Sequence, residues 1–264
     1  MIVDLQIPSF PVALSMKVHG SEDEVSRTLI EEGIWEPYET DLVTRLLKPG
    51  QVFIDVGANT GYYSLIASHL VGESGQVVAF EPEQTNFALL SENLKRLELT
   101  NYIAIQSALH RQDGEGVLYL SDSNLGDHRL SESASRDRQT IRLMKGDLAL
   151  KELQQIDFIK VDTQGAETYV VEGLLETIKN NARQLTMILE FWPFGLQEAG
   201  SSARELLALI EPIPLDIFVI DHEAFRLLPT HCDELLEFAE KTHLVPERQG
   251  FVNLLLRGRD CTAI

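Results

Sequence analysis

The chain has few cysteines, only Cys232 and Cys261 among 264 residues. Two thiols cannot build the disulfide framework of a small secreted domain, so a reducing compartment is the simpler interpretation. The chain also lacks an apolar run long enough to span a bilayer, and its N-terminus lacks a basic segment followed by an apolar one. We therefore expect a cytoplasmic protein.

Basic residues are scarce as well. The chain has 22 Lys and Arg against 41 Asp and Glu, which gives a formal net charge of -19. Binding to nucleic acids or to anionic membranes depends on basic surface, so both classes of partner are disfavoured. The partners that remain are small molecules and peptides, and the oligomeric state stays open, a homodimer included.

The most informative segment is residues 52–61, with the sequence VFIDVGANTG. An apolar run ends in an acidic residue, and a turn with two glycines then opens a helix. Such a turn lets the backbone approach a ligand closely. A second apolar run, residues 77–80, ends at Glu81, where a strand-end carboxylate can accept hydrogen bonds from a ribose diol. Together the two segments predict a nucleoside-cofactor site at the carboxyl edge of a parallel sheet.

The chain lacks the glycine triplet, G-x-G-x-x-G, with which dinucleotide-binding loops approach a pyrophosphate. Asn59 stands where the second glycine would be, and Asp55 directs negative charge towards the place of a diphosphate. S-adenosylmethionine has no phosphate; it carries a sulfonium cation, an amino acid end and a ribose. A site with Asp55, Asn59 and Glu81 suits it better, so we favour a methyl donor over a dinucleotide such as NAD.

Apolar segments of strand and helix length alternate after residue 50, which predicts βαβ units and a mostly parallel sheet. The last strand is expected to be antiparallel, because no helix-length crossover leads into it. Residues 1–48 are expected to form an N-terminal arm or cap, and residues 113–147 an inserted hairpin in a catalytic domain of residues 49–264. The seven predicted strands are residues 52–55, 77–80, 103–109, 156–162, 185–191, 215–220 and 251–256.

Three motifs in this order resemble the FkbM family of class I methyltransferases: DVGANTG at 55–61, AFEP at 79–82 and IKVDTQGAE at 159–167. The resemblance implies an α/β, Rossmann-like methyltransferase fold with a seven-stranded sheet, and S-adenosylmethionine as the cofactor. It also implies methyl transfer to a hydroxyl oxygen, or an amide nitrogen, of a small molecule, sugar or peptide natural product. Gln164 departs from the family pattern, which commonly has a glutamate there, and this puts any role of that carboxylate in doubt.

The candidate site residues come from these segments and from the resemblance. Asp162 and Glu190 end neighbouring predicted strands, so they suit a general base with an orienting partner, or half of a divalent-cation site. His128, in the polar run Asn124–Arg129, is a third catalytic candidate, since such loops often contact substrates. The candidate cofactor-binding residues are Asp55, Gly57, Asn59, Gly61, Glu81, Ser107, Ala108 and Asp162, with Ser107 and Ala108 placed beside the adenine by the implied fold.

These candidates have structural alternatives. In these alternatives Asp55 merely caps the helix after the first strand, and Glu81 is a solvated strand end. Asp162 merely holds the amino group of the methionine part, and Glu190 merely caps the next turn. His110 is a further candidate base. The segment 231–233, His-Cys-Asp, suggests a metal site, but its spacing from Thr230 is that of a helix-capping pair, which we prefer. We therefore predict no metal ligand.

Two other functions stay open: a binding protein that kept the cofactor fold without turnover, and an NAD-dependent oxidoreductase. Trp35, just upstream of the first core strand, is expected to cover the cofactor and to face the run Asn124–Arg129 across an acceptor pocket, as lids do. The structural alternative is that Trp35 fills the seam between the arm and the core.

Overall fold

The computed structural model describes residues 1–96, 100–121, 125–130, 136–242 and 250–261, and its strands form one large and two small sheets. The strands are β1 (Ile2–Asp4), β2 (Ser15–Lys17), β3 (Val52–Val56), β4 (Gln76–Phe80), β5 (Tyr102–Ile105), β6 (Ala108–His110), β7 (Gly114–Leu120), β8 (Asp137–Lys145), β9 (Phe158–Val161), β10 (Thr186–Phe191), β11 (Leu215–Asp221), β12 (Arg226–Thr230) and β13 (Val252–Gly258). The helices are α1 (Glu24–Glu32), α2 (Pro37–Leu46), α3 (Tyr62–Val71), α4 (Gln84–Lys95), α5 (Gly146–Ala149), α6 (Glu167–Gly173), α7 (Leu175–Asn181), α8 (Pro193–Glu198), α9 (Ala203–Ile210) and α10 (Cys232–Thr242).

The large sheet has the strand order β12-β11-β13-β10-β9-β3-β4-β5. Strands β5, β4, β3, β9 and β10 are parallel neighbours, whereas β13 lies antiparallel between β10 and β11. This is the predicted Rossmann-like arrangement, and the antiparallel last strand is confirmed. The strand order reverses beside β3, and sheets of this kind bind ligands at the carboxyl ends of the strands at such a reversal.

The strand prediction needs two corrections. The large sheet has eight described strands instead of seven, because β12 pairs with β11 at its edge. The sequence analysis did not predict β12, because Pro229 interrupts its strand pattern. Proline is tolerated there because β12 is an edge strand. The predicted third strand, residues 103–109, is divided into β5 and β6. The Ser107 N–H bonds back to the Ile105 carbonyl at 3.0 Å, and the chain leaves the large sheet at this turn.

The predicted inserted hairpin is the antiparallel pair of β7 and β8, to which β6 adds in parallel. Leu118, Ile141 and Leu143 give the hairpin a small apolar cluster of its own. The Ser107 hydroxyl donates to the Arg142 carbonyl at 2.9 Å. This bond fixes the hairpin beside the carboxyl end of β5.

The N-terminal arm packs into a hydrophobic cluster that it shares with the large sheet. Met16 of β2 and Leu42 of α2 lie in one buried cluster with Phe53 of β3 and Leu65 of α3. The arm therefore contributes to the core beneath the first strand and its helix. The division of the chain into an arm of residues 1–48 and a catalytic domain stays a prediction.

Asn93 of α4 links the arm to the glycine loop with three hydrogen bonds. Its side chain accepts from the Lys17 N–H at 2.6 Å and donates to the Lys17 carbonyl at 2.8 Å. The same amide group donates to the Thr60 carbonyl at 2.8 Å. The strand β2 and the loop that precedes α3 are thus bonded to one buried side chain.

The helix predicted after Pro82 is α4, which ends at Lys95; Leu97, which the spacing placed on its apolar face, lies outside the described residues. Across the described ranges, no helix combines the length and the apolar character needed to cross a bilayer.

Candidate functional site

A cavity of about 470 Å³ opens where β3, β4, β9 and β10 end, at the edge of the sheet predicted for a ligand. The inserted hairpin and the N-terminal arm supply its other walls. Nearly all the predicted site residues line this one cavity: Asp55, Gly57, Asn59, Glu81, Ser107, Ala108, His128, Asp162 and Glu190. Gly61 is not among its lining residues.

The glycine loop packs tightly against the end of β9. Gly57 has a φ of +82°, and a Cβ built on it would lie 1.9 Å from the Asp162 carbonyl oxygen. The N–H groups of Gly57 and Ala58 both donate to the Phe80 carbonyl at 3.0 Å. Gly61 has a φ of +93°, and a Cβ built on it would collide with Leu90 of α4. Glycine is therefore needed at this position for the packing of α4 against the loop. The backbone therefore needs both glycines, but for different contacts.

Replacing Gly57 with alanine is expected to destabilise the protein more than the same change at Gly50. Gly50 has a φ of +83°, but its Cβ would meet only Ser74 Oγ, at an ordinary 3.5 Å. Both variants carry the left-handed backbone cost of about 1–2 kcal/mol. Gly57→Ala adds an overpacking cost of about 1–3 kcal/mol. Urea unfolding of both variants measures the difference; equal losses would show that the loop yields to a methyl group.

Asp55 is buried at the end of β3 and accepts a 2.6 Å hydrogen bond from the Ser64 hydroxyl in the first turn of α3. Burial raises the pKa of this carboxyl to about 6, against the opposing effect of the Ser64 bond. Asp55 thus contacts the helix start, as its structural alternative requires, and also lines the cavity.

Glu81 is anchored at both carboxylate oxygens. Oε2 accepts from the Asn59 N–H at 2.8 Å, and Oε1 accepts from the Glu83 N–H at 2.8 Å. Burial nevertheless raises its pKa to about 8, and the two backbone bonds oppose that rise. Asn59 itself has a φ of +51°, a left-handed conformation that asparagine tolerates better than most residues. The loop and the strand end therefore hold one carboxylate in a fixed position in the cavity.

Asp162 and Glu190 are brought together by the side chain of Gln164. Gln164 Nε2 donates to Asp162 Oδ1 at 2.8 Å and to both Glu190 oxygens at 3.2 Å. Gln164 takes a φ of +53° in the turn after β9. We call these three residues the acid–amide cluster. The position where the family commonly has a glutamate thus holds a neutral donor between two carboxylates.

Glu167 is fully buried, and its side chain points back towards the loop that precedes α6, where it forms hydrogen bonds. Its carboxylate accepts from the Thr163 N–H and hydroxyl and from the Gly165 N–H, all at 2.9–3.2 Å. Glu167 lies in the first turn of α6, where the helix dipole favours an acidic residue. Burial raises its pKa to about 6.

A buried lysine network lies beside the acid–amide cluster, and the sequence analysis missed it. Lys160 Nζ is 3.2 Å from Glu39 Oε1 and 3.2 Å from Asp162 Oδ2, and it lies over the Tyr63 ring. Burial works against its charge, but Asp162 and Glu39 outweigh that effect and hold its pKa well above the ordinary value. One signal could have revealed it, since a lysine inside an apolar strand requires acidic partners.

Glu36 joins this network at the start of α2 and lines the cavity. It accepts from the Tyr63 hydroxyl at 2.9 Å. Burial and the neighbouring Glu39 raise its pKa to about 7. The arm therefore contributes an acidic group, as well as Trp35, to the cavity wall.

In the described part of the chain, one group of side chains has the composition of a metal site. Glu36, Glu39 and His222 offer ligand atoms within 4.8 Å of one another. The Asn253 amide nitrogen lies among them, 2.8 Å from Glu39 Oε2 and 3.3 Å from both Glu36 Oε1 and His222 Nε2. This amide offers its two hydrogens to the three groups, and Lys160 Nζ lies 3.2 Å from Glu39 Oε1. The residues present therefore fit a hydrogen-bonded network better than a cation.

His128 lies in the cavity wall with its ring orientation fixed. The Ser121 N–H donates to His128 Nδ1 at 3.0 Å, so in the neutral ring Nε2 carries the proton. Burial lowers the pKa of this histidine. The arrangement suits a hydrogen-bond donor rather than a base, and a catalytic role for His128 stays a prediction.

The loop around His128 is held by charged neighbours. Asp127 pairs with Arg129 at 2.5 Å and with Arg136 at 2.6 Å, and the Arg129 guanidinium stacks on the Trp192 ring at 4.6 Å. Trp35 and residues 125–129 line the same cavity, as the lid hypothesis requires, whereas Asn124 lies outside the described residues. In the described part of this run, residues 125–128 are half-buried and Arg129 is buried.

His110 and the segment 231–233 both lie outside the cavity lining. The His110 ring lies tilted against Tyr169 with the ring centroids 5.0 Å apart, so the structure does not bring it together with the other candidates. At the start of α10, the Thr230 hydroxyl donates to the Glu234 carboxylate at 2.9 Å, one residue beyond the predicted capping partner. This is a bond between two side chains, so the preference for capping over a metal site stays a prediction.

A comparison with protein families decides the class. A family model described as the methyltransferase FkbM domain matches residues 55–221, more than half of the chain. The chain belongs to the FkbM methyltransferase family. The match includes the glycine loop, Glu81 and the acid–amide cluster. The predicted family is confirmed, and methyl transfer and S-adenosylmethionine as the cofactor are supported with it.

Known proteins add more distant similarities. A curated relative from Sulfurisphaera tokodaii, described as a probable cobalt-precorrin-6B C(15)-methyltransferase (decarboxylating), is 34% identical over 70 residues. The aligned part covers 25% of this chain and 36% of that protein's length. The solved methyltransferase FkbM from Methylobacillus flagellatus has a TM-score of 0.49 at 13% identity, covering 83% of this chain and 50% of that one. A SAM-dependent methyltransferase from Aquifex aeolicus has a TM-score of 0.43 at 15% identity, covering 83% and 88%.

Proposed function

We propose that this chain transfers a methyl group from S-adenosylmethionine to a hydroxyl oxygen, or an amide nitrogen, of a small molecule, sugar or peptide. The observation that carries the proposal is that one cavity contains both the anchored Glu81 carboxylate and the acid–amide cluster. The Glu81 carboxylate can accept hydrogen bonds from the ribose of the cofactor. The acid–amide cluster can take the proton that the acceptor hydroxyl loses.

The donor set fits this cofactor. Glu81 presents a fixed carboxylate to a ribose diol, and the glycine loop allows close backbone approach. A cavity of about 470 Å³ is in the size range of small-molecule and cofactor sites. Asp55 directs negative charge towards the place of a pyrophosphate, and Asn59 stands where a dinucleotide loop has its second glycine, which argues against NAD. The residues proposed to hold the cofactor are Asp55, Gly57, Asn59, Glu81, Ser107, Ala108 and Asp162.

When bound, the cofactor supplies a methyl group already activated by its sulfonium. The task of the protein is to bring the acceptor in line and to exclude water, and such positioning can contribute roughly 7–11 kcal/mol at best. An acceptor hydroxyl must also lose its proton. Glu190 is the buried carboxylate proposed to take it, with Asp162 kept beside it by the Gln164 amide. His128 can donate a hydrogen bond from Nε2.

The acceptor is proposed to enter between the arm and the insertion, which form the remaining walls of the cavity. Trp35 and Trp192 offer aromatic surface there, and the half-exposed Phe251 also lines the cavity. A net charge of -19 supports small molecules or peptides over nucleic acids as acceptors. A homodimer remains part of the proposal and is tested by sedimentation.

Titration calorimetry is expected to show micromolar binding, roughly -8 kcal/mol, for S-adenosylmethionine and S-adenosylhomocysteine, and none for NAD. NAD serves as the matched control because it shares the adenosine part but adds a pyrophosphate. Tight NAD binding would overturn the proposal in favour of an oxidoreductase. Methyl transfer from labelled cofactor to a panel of sugars, hydroxylated small molecules and peptides then separates an enzyme from a binding protein without turnover.

A further inference from the structure

Glu190 is a buried acid whose charged surroundings are mostly negative. Lys160 of β9 and Asp162 just after that strand act on it, as do Glu167 at the start of α6 and Glu36 at the start of α2. The neutral Asn253 is its partner on β13. Lys160, the cation of this group, is already paired with Glu39 and Asp162. The acids named around Glu190 therefore outnumber the one cation among them.

The consequence for Glu190 is a strong preference for its neutral form. Burial raises its pKa well above the ordinary value, and Asp162 and Glu167 raise it further. The Gln164 amide reaches both Glu190 oxygens but carries no charge, so it fixes the position of the carboxyl without supplying a positive charge.

We propose that Glu190 holds a proton in the free enzyme, releases it when the sulfonium cation of the methyl donor binds, and takes it back from the acceptor during transfer. The inference rests on the proposed function, because the incoming cation is that of S-adenosylmethionine. A cation near the cluster stabilises ionised Glu190, so the proton leaves as the cation arrives.

Charge and atoms balance through the reaction. The bond between sulfur and the methyl carbon breaks, the acceptor oxygen forms the new bond to that carbon, and its proton passes to the Glu190 carboxylate. The donor sulfur loses its positive charge in the same step in which Glu190 loses its negative charge. The site thus has the same net charge before and after transfer, which avoids leaving an uncompensated charge in a buried cavity.

The comparison of S-adenosylmethionine with S-adenosylhomocysteine isolates this effect. The two molecules share the adenine, ribose and amino acid end, and they differ in one methyl group and one positive charge. Protons displaced at Glu81 or Asp55 by the shared parts therefore cancel. A difference in proton release reports only on groups that sense the sulfonium.

The experiment is calorimetry of both cofactors in buffers of different ionisation enthalpy between pH 6 and pH 8. We expect S-adenosylmethionine to release about one more proton than S-adenosylhomocysteine. Its affinity relative to S-adenosylhomocysteine should rise by up to about tenfold per pH unit, because raising the pH removes the proton that opposes the cation. Equal proton release by the two cofactors in the unaltered enzyme would overturn the inference.

Three variants locate the proton. Glu190→Gln is expected to remove the difference in proton release and the pH dependence of the affinity ratio. Asp157→Asn is the matched control, since Asp157 is a buried carboxylate that precedes β9, and it should leave both unchanged. If Glu36→Gln rather than Glu190→Gln removes the difference, the assignment to Glu190 is wrong. If neither cofactor binds the unaltered enzyme, the proposed function has failed, a result distinct from equal release.

Discussion

Replacing Lys160 with methionine is expected to lower the free energy of unfolding by about 3–5 kcal/mol, the cost of leaving buried charges without their partner. Glu39 is fully buried and Asp162 partly so, and both lie 3.2 Å from the Lys160 ammonium. Without Lys160, the two carboxylates face each other and Glu36 in a poorly solvated site. Urea unfolding at constant pH measures the loss.

Lys179→Met is the matched control for Lys160→Met. Lys179 forms an exposed pair with Glu176 at 3.2 Å on one helix, so its loss should cost less than about 1 kcal/mol. The double variant Lys160→Met with Glu39→Gln should recover part of the stability, because it removes one unpaired charge. The loss should also grow as the pH rises, since burial raises the pKa of Glu39 and the folded state then binds more protons than the unfolded chain. A Lys160→Met protein as stable as the Lys179 variant would contradict the account of the network.

Changing Glu81 to glutamine is expected to weaken cofactor binding by roughly 10- to 150-fold, the equivalent of one charge-assisted hydrogen bond. Glutamine keeps the shape, but its NH₂ group would face either the Asn59 or the Glu83 N–H, both of which need an acceptor. The side chain would therefore lose a loop contact as well as its capacity to accept from the ribose. Calorimetry with S-adenosylhomocysteine gives the affinity.

Glu83→Gln provides the comparison for Glu81→Gln. Glu83 is also buried and accepts from the Asn86 N–H at 2.6 Å, but it does not line the cavity. Its replacement should cost helix stability, on the order of 1 kcal/mol, and leave the affinity nearly unchanged. Similar affinities for the two variants would mean that the ribose site has been misplaced.

The sequence predicted the sheet edge and the cofactor side of the cavity well, because those signals are local. The glycine loop, Glu81 and Asp162 each follow directly on an apolar run, so their positions are fixed by where a strand ends. The parallel topology then brings separate strand ends to one edge without further information. Gly57 is an example: its backbone requirement is visible in the motif, although its contact with Asp162 is not.

The rest of the site depends on contacts between distant segments. Lys160 is stabilised by Glu39, which lies in the arm, and Asn253 of the last strand bonds to the same carboxylate. No local sequence pattern indicates which distant segments come into contact. The bridge from Gln164 to Glu190 likewise exists only because β9 and β10 are neighbours. The orientation of His128 depends on a single bond to a backbone N–H, which sequence spacing cannot supply.

The buried side chain of Asn93 couples the structure of the cofactor loop to the presence of the arm. Its amide group is bonded to the Lys17 backbone on one side and to the Thr60 carbonyl on the other. Deleting the arm would leave Asn93 with unmet bonds and would expose the apolar face of α3. The damage would be transmitted to the glycine loop, and a deletion would weaken cofactor binding even if Trp35 never covered the cavity. A lid role of the arm is therefore tested by substituting Trp35 alone. Deleting the arm would remove the contacts that hold the loop as well as Trp35.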